Sequence, residues 1–358
     1  MDKNYNILLA AGGTGGHLSP AIAVAEDLSE EGIIAHLITD QRCKKYLPQK
    51  YNYNISVIEH EVFSKKPLKF LKFIFSLIKN IIFAIKIIRE KKIDLIISFG
   101  GYTAITINIA AVISKKKLIL HEQNACIGRV NKIFARWADK IIISYPKIKG
   151  LKKHNHKLSL CSFPTRKKFQ KTNAKKHKKF TILIIGGSQG AGIFSKIFNK
   201  IIATKLIDNL KNIKLFQQVR SNQLQNIKSL YKKHNLNFEV NSYFHDINYK
   251  MSEADLIISR AGASSIAEII KYEKPAILIP YPHAKDNHQF YNAKYLHDYN
   301  ACYLIEENKL DITRFAQLLN NLQNNKEKLQ DIQNNIKKYK ADTKYNDIIS
   351  EISSILKD

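Results

Sequence analysis

What this chain lacks narrows it first. Its 358 residues hold only four cysteines, Cys43, Cys126, Cys161 and Cys302, scattered with no CxxC pair and no zinc spacing. That excludes a disulfide framework or a structural zinc module and fits a reduced compartment. Asp-x-Asp occurs nowhere, which argues against a metal-bridged nucleotide-sugar site of that type, and no metal or other cofactor is expected. Acidic side chains are in deficit, 30 against 58 Lys and Arg, for a net charge of +28. A polyanion partner and a Lys-, Ile- and Asn-rich compositional drift both account for that charge. No helix-turn-helix, zinc-finger or RNP signature accompanies it, so nucleic acid is not an expected partner. The opening Met1-Asp2-Lys3-Asn4-Tyr5 runs straight into a core strand with no basic and apolar leader, so no signal peptide is expected. Glycine is scarce as well, at 14 residues, so where it clusters it carries information.

It clusters after apolar runs. Gly12-Gly13-Thr14-Gly15-Gly16-His17 follows Asn6 to Ala11, and Gly186-Gly187-Ser188-Gln189-Gly190-Ala191 follows Thr181 to Ile185. Each precedes a helical pattern, and a strand–glycine turn–helix unit presents backbone N–H groups to an anion. Strand-like runs at 6–11, 33–38, 55–58, 93–98, 118–121 and 140–144 alternate with helices. A second series follows at 181–185, 213–217, 237–241, 255–258 and 276–279, and 309–358 reads as helices. Residues 147–179, rich in Lys, His and Asn, read as a linker region, with a boundary near 165. The pattern predicts parallel α/β halves with a ligand between them.

Residues 65–92 stand apart. Lys65, Lys72, Lys79 and Lys86, seven apart, fall on one helical stripe, among Phe70, Phe73, Ile74, Phe75, Ile78, Ile81, Ile82 and Phe83. Lysines interrupt every window long enough to span a bilayer. A basic, strongly apolar helix lying on an anionic membrane surface is the expectation, against a crossover helix that merely packs on its sheet.

The first glycine loop has no Gly-Lys-Ser/Thr ending, so it is not a triphosphatase loop. Leu18 stands where a dinucleotide fingerprint needs its third glycine, although Asp40, after a strand, leaves a nicotinamide dehydrogenase open. His17, at the loop's exit, suits a general base or a turn hydrogen bond. Ser98-Phe99-Gly100-Gly101-Tyr102 and His121-Glu122-Gln123-Asn124 fall at strand ends, where open α/β sheets bind ligands. In the second half, Ser259 to Glu268 is another strand–turn–helix, whose Glu268 suits ribose hydroxyls or a helix-dipole role. Asp286-Asn287-His288-Gln289 and Asn292-Ala293 offer imidazole and amide groups to a sugar.

Together these segments resemble the MurG family, the UDP-N-acetylglucosamine–N-acetylmuramyl-(pentapeptide) pyrophosphoryl-undecaprenol N-acetylglucosamine transferases. The motifs run in order: Gly12 to His17, Gly100-Gly101-Tyr102, His121 to Asn124, Pro164-x-Arg166, Gly186 to Ala191, Arg260-x-Gly262-Ala263-x-Ser265-x-x-Glu268, and Asp286 to Ala293. The resemblance implies a GT-B glycosyltransferase fold, two Rossmann-like domains facing across a cleft. It gives 1–165 plus about 344–358 to an N-terminal domain on the lipid-acceptor and membrane side, and 166–343 to a UDP-GlcNAc-binding C-terminal domain. It implies an inverting transfer of GlcNAc from UDP-GlcNAc to the muramyl 4-hydroxyl of an undecaprenyl-diphosphate-linked muramyl peptide, at the cytoplasmic face of the cell membrane.

Carried over, Ser188 and Arg166 meet the donor diphosphate, and Phe244 lies near uracil through its backbone. Ala263, Ser264, Ser265 and Glu268 hold phosphate and ribose, and Gln289 with His288 holds GlcNAc. Thr14, Gly15, Gly16 and Asn124 complete the donor contacts, and the acceptor diphosphate is expected near the first glycine loop. His17 is the first candidate base and Glu122 the second. The chain departs from the family at Ser162-Phe163-Pro164, in place of Gly-Asn-Pro, and at Thr103-Ala104-Ile105, in place of Ser-Gly-Pro. The alternatives are another GT-B enzyme acting on a glycolipid and, from a different class, a basic non-catalytic nucleic-acid-binding protein.

Overall fold

The computed structural model describes residues 5–59, 61, 66–151, 153–166, 179–186, 192–207 and 210–357. Lys65 and the second glycine turn from Gly187 to Ala191, Ser188 included, lie outside the described residues. Two compact units form, Met1–Lys167 with Lys344–Asp358, and Lys168–Thr343.

In the first unit the elements run β1 (Asn6–Ala10), α1 (Gly15–Glu30), β2 (Ile34–Asp40), β3 (Asn54–Ile58), α2 (Pro67–Glu90), β4 (Leu95–Ser98) and α3 (Tyr102–Ile113). Next come β5 (Lys117–Glu122), α4 (Arg129–Phe134), β6 (Lys140–Ile143) and β7 (Leu158–Leu160). The sheet is parallel throughout, in the order β3-β2-β1-β4-β5-β6-β7. Its central strands are apolar at nearly every position because both faces are covered. Alternation then sends Ile7 and Leu9 into one core and Leu8 and Ala10 into the other. β7 corrects the linker reading: Ile141, Ile142 and Ile143 of β6 pair with Leu158, Ser159 and Leu160.

The second unit runs β8 (Phe180–Ile185), α5 (Gly192–Thr204), β9 (Ile213–Gln218), α6 (Leu224–Lys233), β10 (Asn237–Asn241), α7 (Ile247–Glu253), β11 (Leu256–Ser259) and α8 (Ala263–Tyr272). It continues with β12 (Ala276–Leu278), α9 (His288–Asp298), β13 (Tyr303–Leu304), α10 (Ile312–Asn324) and α11 (Lys326–Asp342). Its parallel sheet has the order β10-β9-β8-β11-β12-β13.

α12 (Ile348–Lys357) belongs to the first unit. It buries Ile352 and Ile355 there, Glu351 pairs with Lys140 at 2.5 Å, and Lys117 Nζ donates to the Ile355 carbonyl at 2.7 Å. Both sheets reverse their order beside their first strand, between β1 and β4 and between β8 and β11. The carboxyl ends of such neighbours frame a ligand crevice.

Candidate active site

In the first unit, two glycine turns leave the reversal point and meet. Gly101, at φ +86°, has no room for a side chain: a Cβ would stand 2.1 Å from the Gly12 carbonyl oxygen. A Cβ on Gly12 would fall 2.0 Å from Thr103 Oγ1. The contact is fixed by Asp40, which is 2% exposed. Its Oδ2 accepts the Gly13 N–H at 2.7 Å, Arg42 Nη2 at 2.8 Å and the Thr103 hydroxyl at 3.3 Å, and Oδ1 accepts the Cys43 N–H at 3.2 Å. Burial alone would raise this carboxyl, but Arg42 and the backbone donors outweigh it and hold it below the ordinary carboxylate range. With its oxygens so engaged, Asp40 is not a ribose ligand, and the dehydrogenase reading falls. Thr103, one of the departures from the family pattern, supplies one of those bonds.

α1 starts inside this framework. Thr14 is its N-cap, yet the side chain caps no backbone N–H; its Oγ1 lies 3.1 Å from His17 Nδ1. The first helical bonds run from His17 and Leu18 to the Thr14 carbonyl, so the Gly15 and Gly16 amides precede the ladder, where ligands bind. A Cβ on Gly100 would come within 3.2 and 3.3 Å of His17 Cδ2 and Nε2, so the bare glycine lets the ring lie against the turn. His121 is buried with its ring centroid 5.0 Å from that of Phe99, and burial pushes it down to about 4, so it is neutral at pH 7.

Glu122, the second candidate base, has both carboxylate oxygens engaged. Its Oε1 accepts the Asn124 N–H at 3.0 Å and Asn124 Nδ2 at 3.2 Å; its Oε2 accepts the Gly128 N–H at 2.8 Å and Asn131 Nδ2 at 3.0 Å. Burial raises its pKa against the pull of these donors. A carboxylate occupied on both oxygens anchors the loop that carries Asn124. Arg166 is also engaged, through Nε at 2.8 Å and Nη2 at 2.5 Å, by Glu26 of α1, which departs from the diphosphate contact the resemblance implies.

In the second unit the turn after β11 is pinned by a cation. Arg260, 8% exposed, donates from Nη1 to the Ile279 and Pro280 carbonyls at 3.1 and 3.0 Å, and its Nη2 pairs with Glu307 at 2.6 Å. Asn292 Nδ2 holds the Ala261 carbonyl at 3.2 Å. α8 then begins on Gly262, which has no side chain to cap it. Its first ladder bond is Ile266 N–H to the Gly262 carbonyl, so the amides of Ala263, Ser264 and Ser265 lie ahead of the ladder at the positive helix end. One turn on, no hydrogen bond reaches the Glu268 carboxyl among the described residues, and burial pushes it up to about 7.

The Phe244 ring is buried in the core, which leaves its backbone for a ligand. Beneath it, Lys250, 2% exposed, pairs with Glu239 at 2.7 Å and Asp246 at 3.0 Å and lies 4.8 Å from the Phe244 ring centre. His288 and Gln289 open α9 after Asp286 and Asn287, at φ +53° and +54°, where Asp and Asn are tolerated. Gln289 Oε1 accepts the Tyr281 N–H at 2.9 Å, and His288 Nδ1 sits 2.8 Å from the Lys285 carbonyl.

Asp40, Arg42, Asn131, Lys250 and Arg260 are the functional neighbours that spacing alone does not single out as anchors. Their only trace is a polar residue closing or following a buried strand or packed into a helix face. Among the described residues no three His, Cys, Asp or Glu side chains converge as a metal site requires.

Residues 7–143 match the glycosyltransferase family 28 N-terminal domain, and residues 181–351 match the glycosyltransferase family 28 C-terminal domain. The chain is 39% identical to the UDP-N-acetylglucosamine–N-acetylmuramyl-(pentapeptide) pyrophosphoryl-undecaprenol N-acetylglucosamine transferase of Rickettsia canadensis, over 93% of this chain and 94% of that protein. It is 37% identical to the enzyme of the same name from Wolbachia pipientis subsp. Culex pipiens, over 98% and 99%. The crystal structure of Acinetobacter baumannii MurG superposes with a TM-score of 0.74 at 27% identity, covering 99% of each chain. Two matching domain models and full-length likeness in sequence and structure lead to one statement: this chain belongs to the MurG family of family 28 glycosyltransferases.

Proposed function

We propose that this chain transfers N-acetylglucosamine from UDP-N-acetylglucosamine to the muramyl 4-hydroxyl of undecaprenyl-diphosphate-linked N-acetylmuramyl-pentapeptide, converting lipid I to lipid II in peptidoglycan synthesis. The acceptor oxygen forms a bond to C1 of the sugar as the bond from C1 to the UDP oxygen breaks, inverting the anomeric centre. The hydroxyl proton passes to a base, and UDP carries away the electron pair.

His17 is that base. The observation that carries this role is its seating: Nδ1 lies 3.1 Å from Thr14 Oγ1, and the ring lies against the Gly100 turn at the start of α1. With the Nδ1 proton donated to Thr14, the Nε2 lone pair takes the acceptor proton. Glu122 serves by holding Asn124 in its loop. On the donor side, the Ala263, Ser264 and Ser265 amides receive phosphate charge as UDP departs. Glu268 takes the ribose hydroxyls, the Phe244 backbone reads uracil, and Gln289 with His288 reads the sugar. Ser188 and the amides of Gly15 and Gly16 complete the donor's surroundings.

The enzyme works at the cytoplasmic face of the membrane as a peripheral protein, held by α2. Leu68, Leu71, Phe75, Ile78 and Ile82 follow helical spacing and are 75, 56, 71, 48 and 63% exposed. Lys72, Lys79 and Lys86 run beside them, while Asn80, Ala84 and Ile88 face the core. Among the described residues, every exposed large aliphatic, Phe or Trp side chain belongs to the first unit; the second exposes only Tyr243, Tyr249 and Tyr281. Apolar insertion plus roughly 1 kcal/mol per lysine at an anionic surface suits such a helix. No described helix is long and apolar enough to cross a bilayer.

The deciding experiment measures UDP release from UDP-N-acetylglucosamine with and without lipid I. Release that depends on lipid I is expected. Equal release in its absence, or none at all, would overturn the assignment.

A further inference from the structure

We propose that Arg42 is the cation that receives the acceptor's diphosphate at the first glycine loop. This rests on the transfer reading above, since it names the residue that meets the charged part of that acceptor. A diphosphate diester carries two negative charges, and neutral N–H groups answer them only as dipoles. A guanidinium adds full charge and paired donors.

Three observations single out Arg42. Its side chain is 52% exposed, in contrast to the 13% of Arg166, whose guanidinium is already taken by Glu26. Its Nη2 sits 3.7 Å from where a Cβ of Gly13 would stand, so no side chain separates the guanidinium from the loop backbone. It is also oriented by the same atom that orients the loop: Asp40 Oδ2 holds Arg42 Nη2 at 2.8 Å and the Gly13 N–H at 2.7 Å. Loop and cation are thereby one preorganised unit.

A purely structural role explains the arrangement less well. Arg42 is the counter-charge of the buried Asp40, but it is not its only donor, since Asp40 also takes the Gly13 and Cys43 amides and the Thr103 hydroxyl and leaves half of the Arg42 side chain exposed.

The test uses the full-length protein with Arg42→Ala and Arg42→Lys, and inorganic pyrophosphate titrated in saturating UDP, which fills the donor side. Native protein should bind pyrophosphate in competition with lipid I. Arg42→Ala should weaken that binding by about tenfold or more, with Arg42→Lys intermediate. In turnover, Arg42→Ala should raise KM for lipid I by a similar factor. It should lower the preference for lipid I over a muramyl peptide methyl glycoside that lacks the diphosphate. Unchanged pyrophosphate affinity in Arg42→Ala, or an equal loss with both acceptors, would overturn the proposal and leave Arg42 a brace for the loop. If the native protein transfers to neither acceptor, the transfer reading fails, while the pyrophosphate titration still decides what Arg42 does.

Discussion

The two units hold their ligand turns with fasteners of opposite sign. In the first, a buried anion gathers donors: Asp40 draws the Gly13 amide, the Thr103 hydroxyl and Arg42 toward one oxygen. In the second, a buried cation gathers acceptors: Arg260 holds two carbonyls and Glu307, and Lys250 holds Glu239 and Asp246 under the Phe244 turn. Both devices serve the same end of the same sheet order. The difference teaches what each turn can offer. An anion behind the turn draws in a cation, which stands ready for a second anion. Cations that grip carbonyls hold the backbone from behind and leave the α8 amides ahead of the ladder for a ligand.

This contrast can be broken most severely at the glycines. Gly101→Ala meets the Gly12 carbonyl at 2.1 Å from a positive φ and should destabilise the first unit by about 3–5 kcal/mol in denaturant unfolding. Gly262→Ala in the second unit finds its nearest neighbour at 4.0 Å and should cost only about 0.5 kcal/mol. Equal losses would show that the first turn is no more tightly wedged than the second.

His17→Ala should lower kcat by about 10²- to 10⁴-fold while UDP-GlcNAc binding, followed by calorimetry, persists. Near-normal turnover would remove His17 as the base. Glu122→Gln separates the two carboxylate roles: as an anchor it should lose about 1–3 kcal/mol of stability, because an amide cannot accept at both positions. A collapse of kcat with unaltered unfolding would instead restore Glu122 as the base.

Lys250→Met should raise the donor KM severalfold with little change in kcat, since it loosens the Phe244 turn proposed to read the base without touching the reacting atoms. The Glu268 carboxyl, pushed up to about 7, gives a pH signature. Ribose hydroxyls need the ionised form, so donor KM should rise as pH falls through about 7, and Glu268→Gln should flatten that dependence. For stability the sign is opposite. The folded pKa lies above the ordinary 4.5, so the protonated group contributes fully below about 4.5 and its contribution is lost as pH rises through about 7. The smallest stability effect is expected on α2. Replacing Leu71, Phe75 and Ile82 by serine should change unfolding by about 1 kcal/mol or less, yet abolish binding to anionic vesicles. Unfolding of that variant would mean that the stripe packs within the protein.

The strands were legible because parallel strands covered on both faces are nearly unbroken apolar runs. The predicted runs at 55–58, 118–121 and 237–241 match β3, β5 and β10 within one residue at either end. β7 and β13 were not legible: three and two residues are too few to show a pattern, and β7 sits among Lys and His. Motif order located the turns, because glycine and small residues at strand ends are local properties. The partners of those turns were not readable. A strand-end carboxylate looks alike whether it faces solvent or four N–H groups converging from 124, 128 and 131, and only the fold reports the difference at Glu122. Arg166 is the same case, since its partner Glu26 lies far away in sequence. On α2 both an apolar and a basic face were legible. The sequence could not say that Phe73 is half-buried, lining a small cavity with Tyr102 and Ile105, while Phe75 is open.

The docking of α12 sets the order in which the molecule can be made. β1 to β7 leave the ribosome first, yet the helix that buries Ile352 and Ile355 against them, and whose Glu351 reaches Lys140, is synthesised only after the whole second unit. The earliest core therefore waits, with one apolar flank uncovered, for the latest segment of the chain. A frameshift or proteolytic nick near residue 344 would strike first not the unit it adjoins in sequence but the one made at the start of translation.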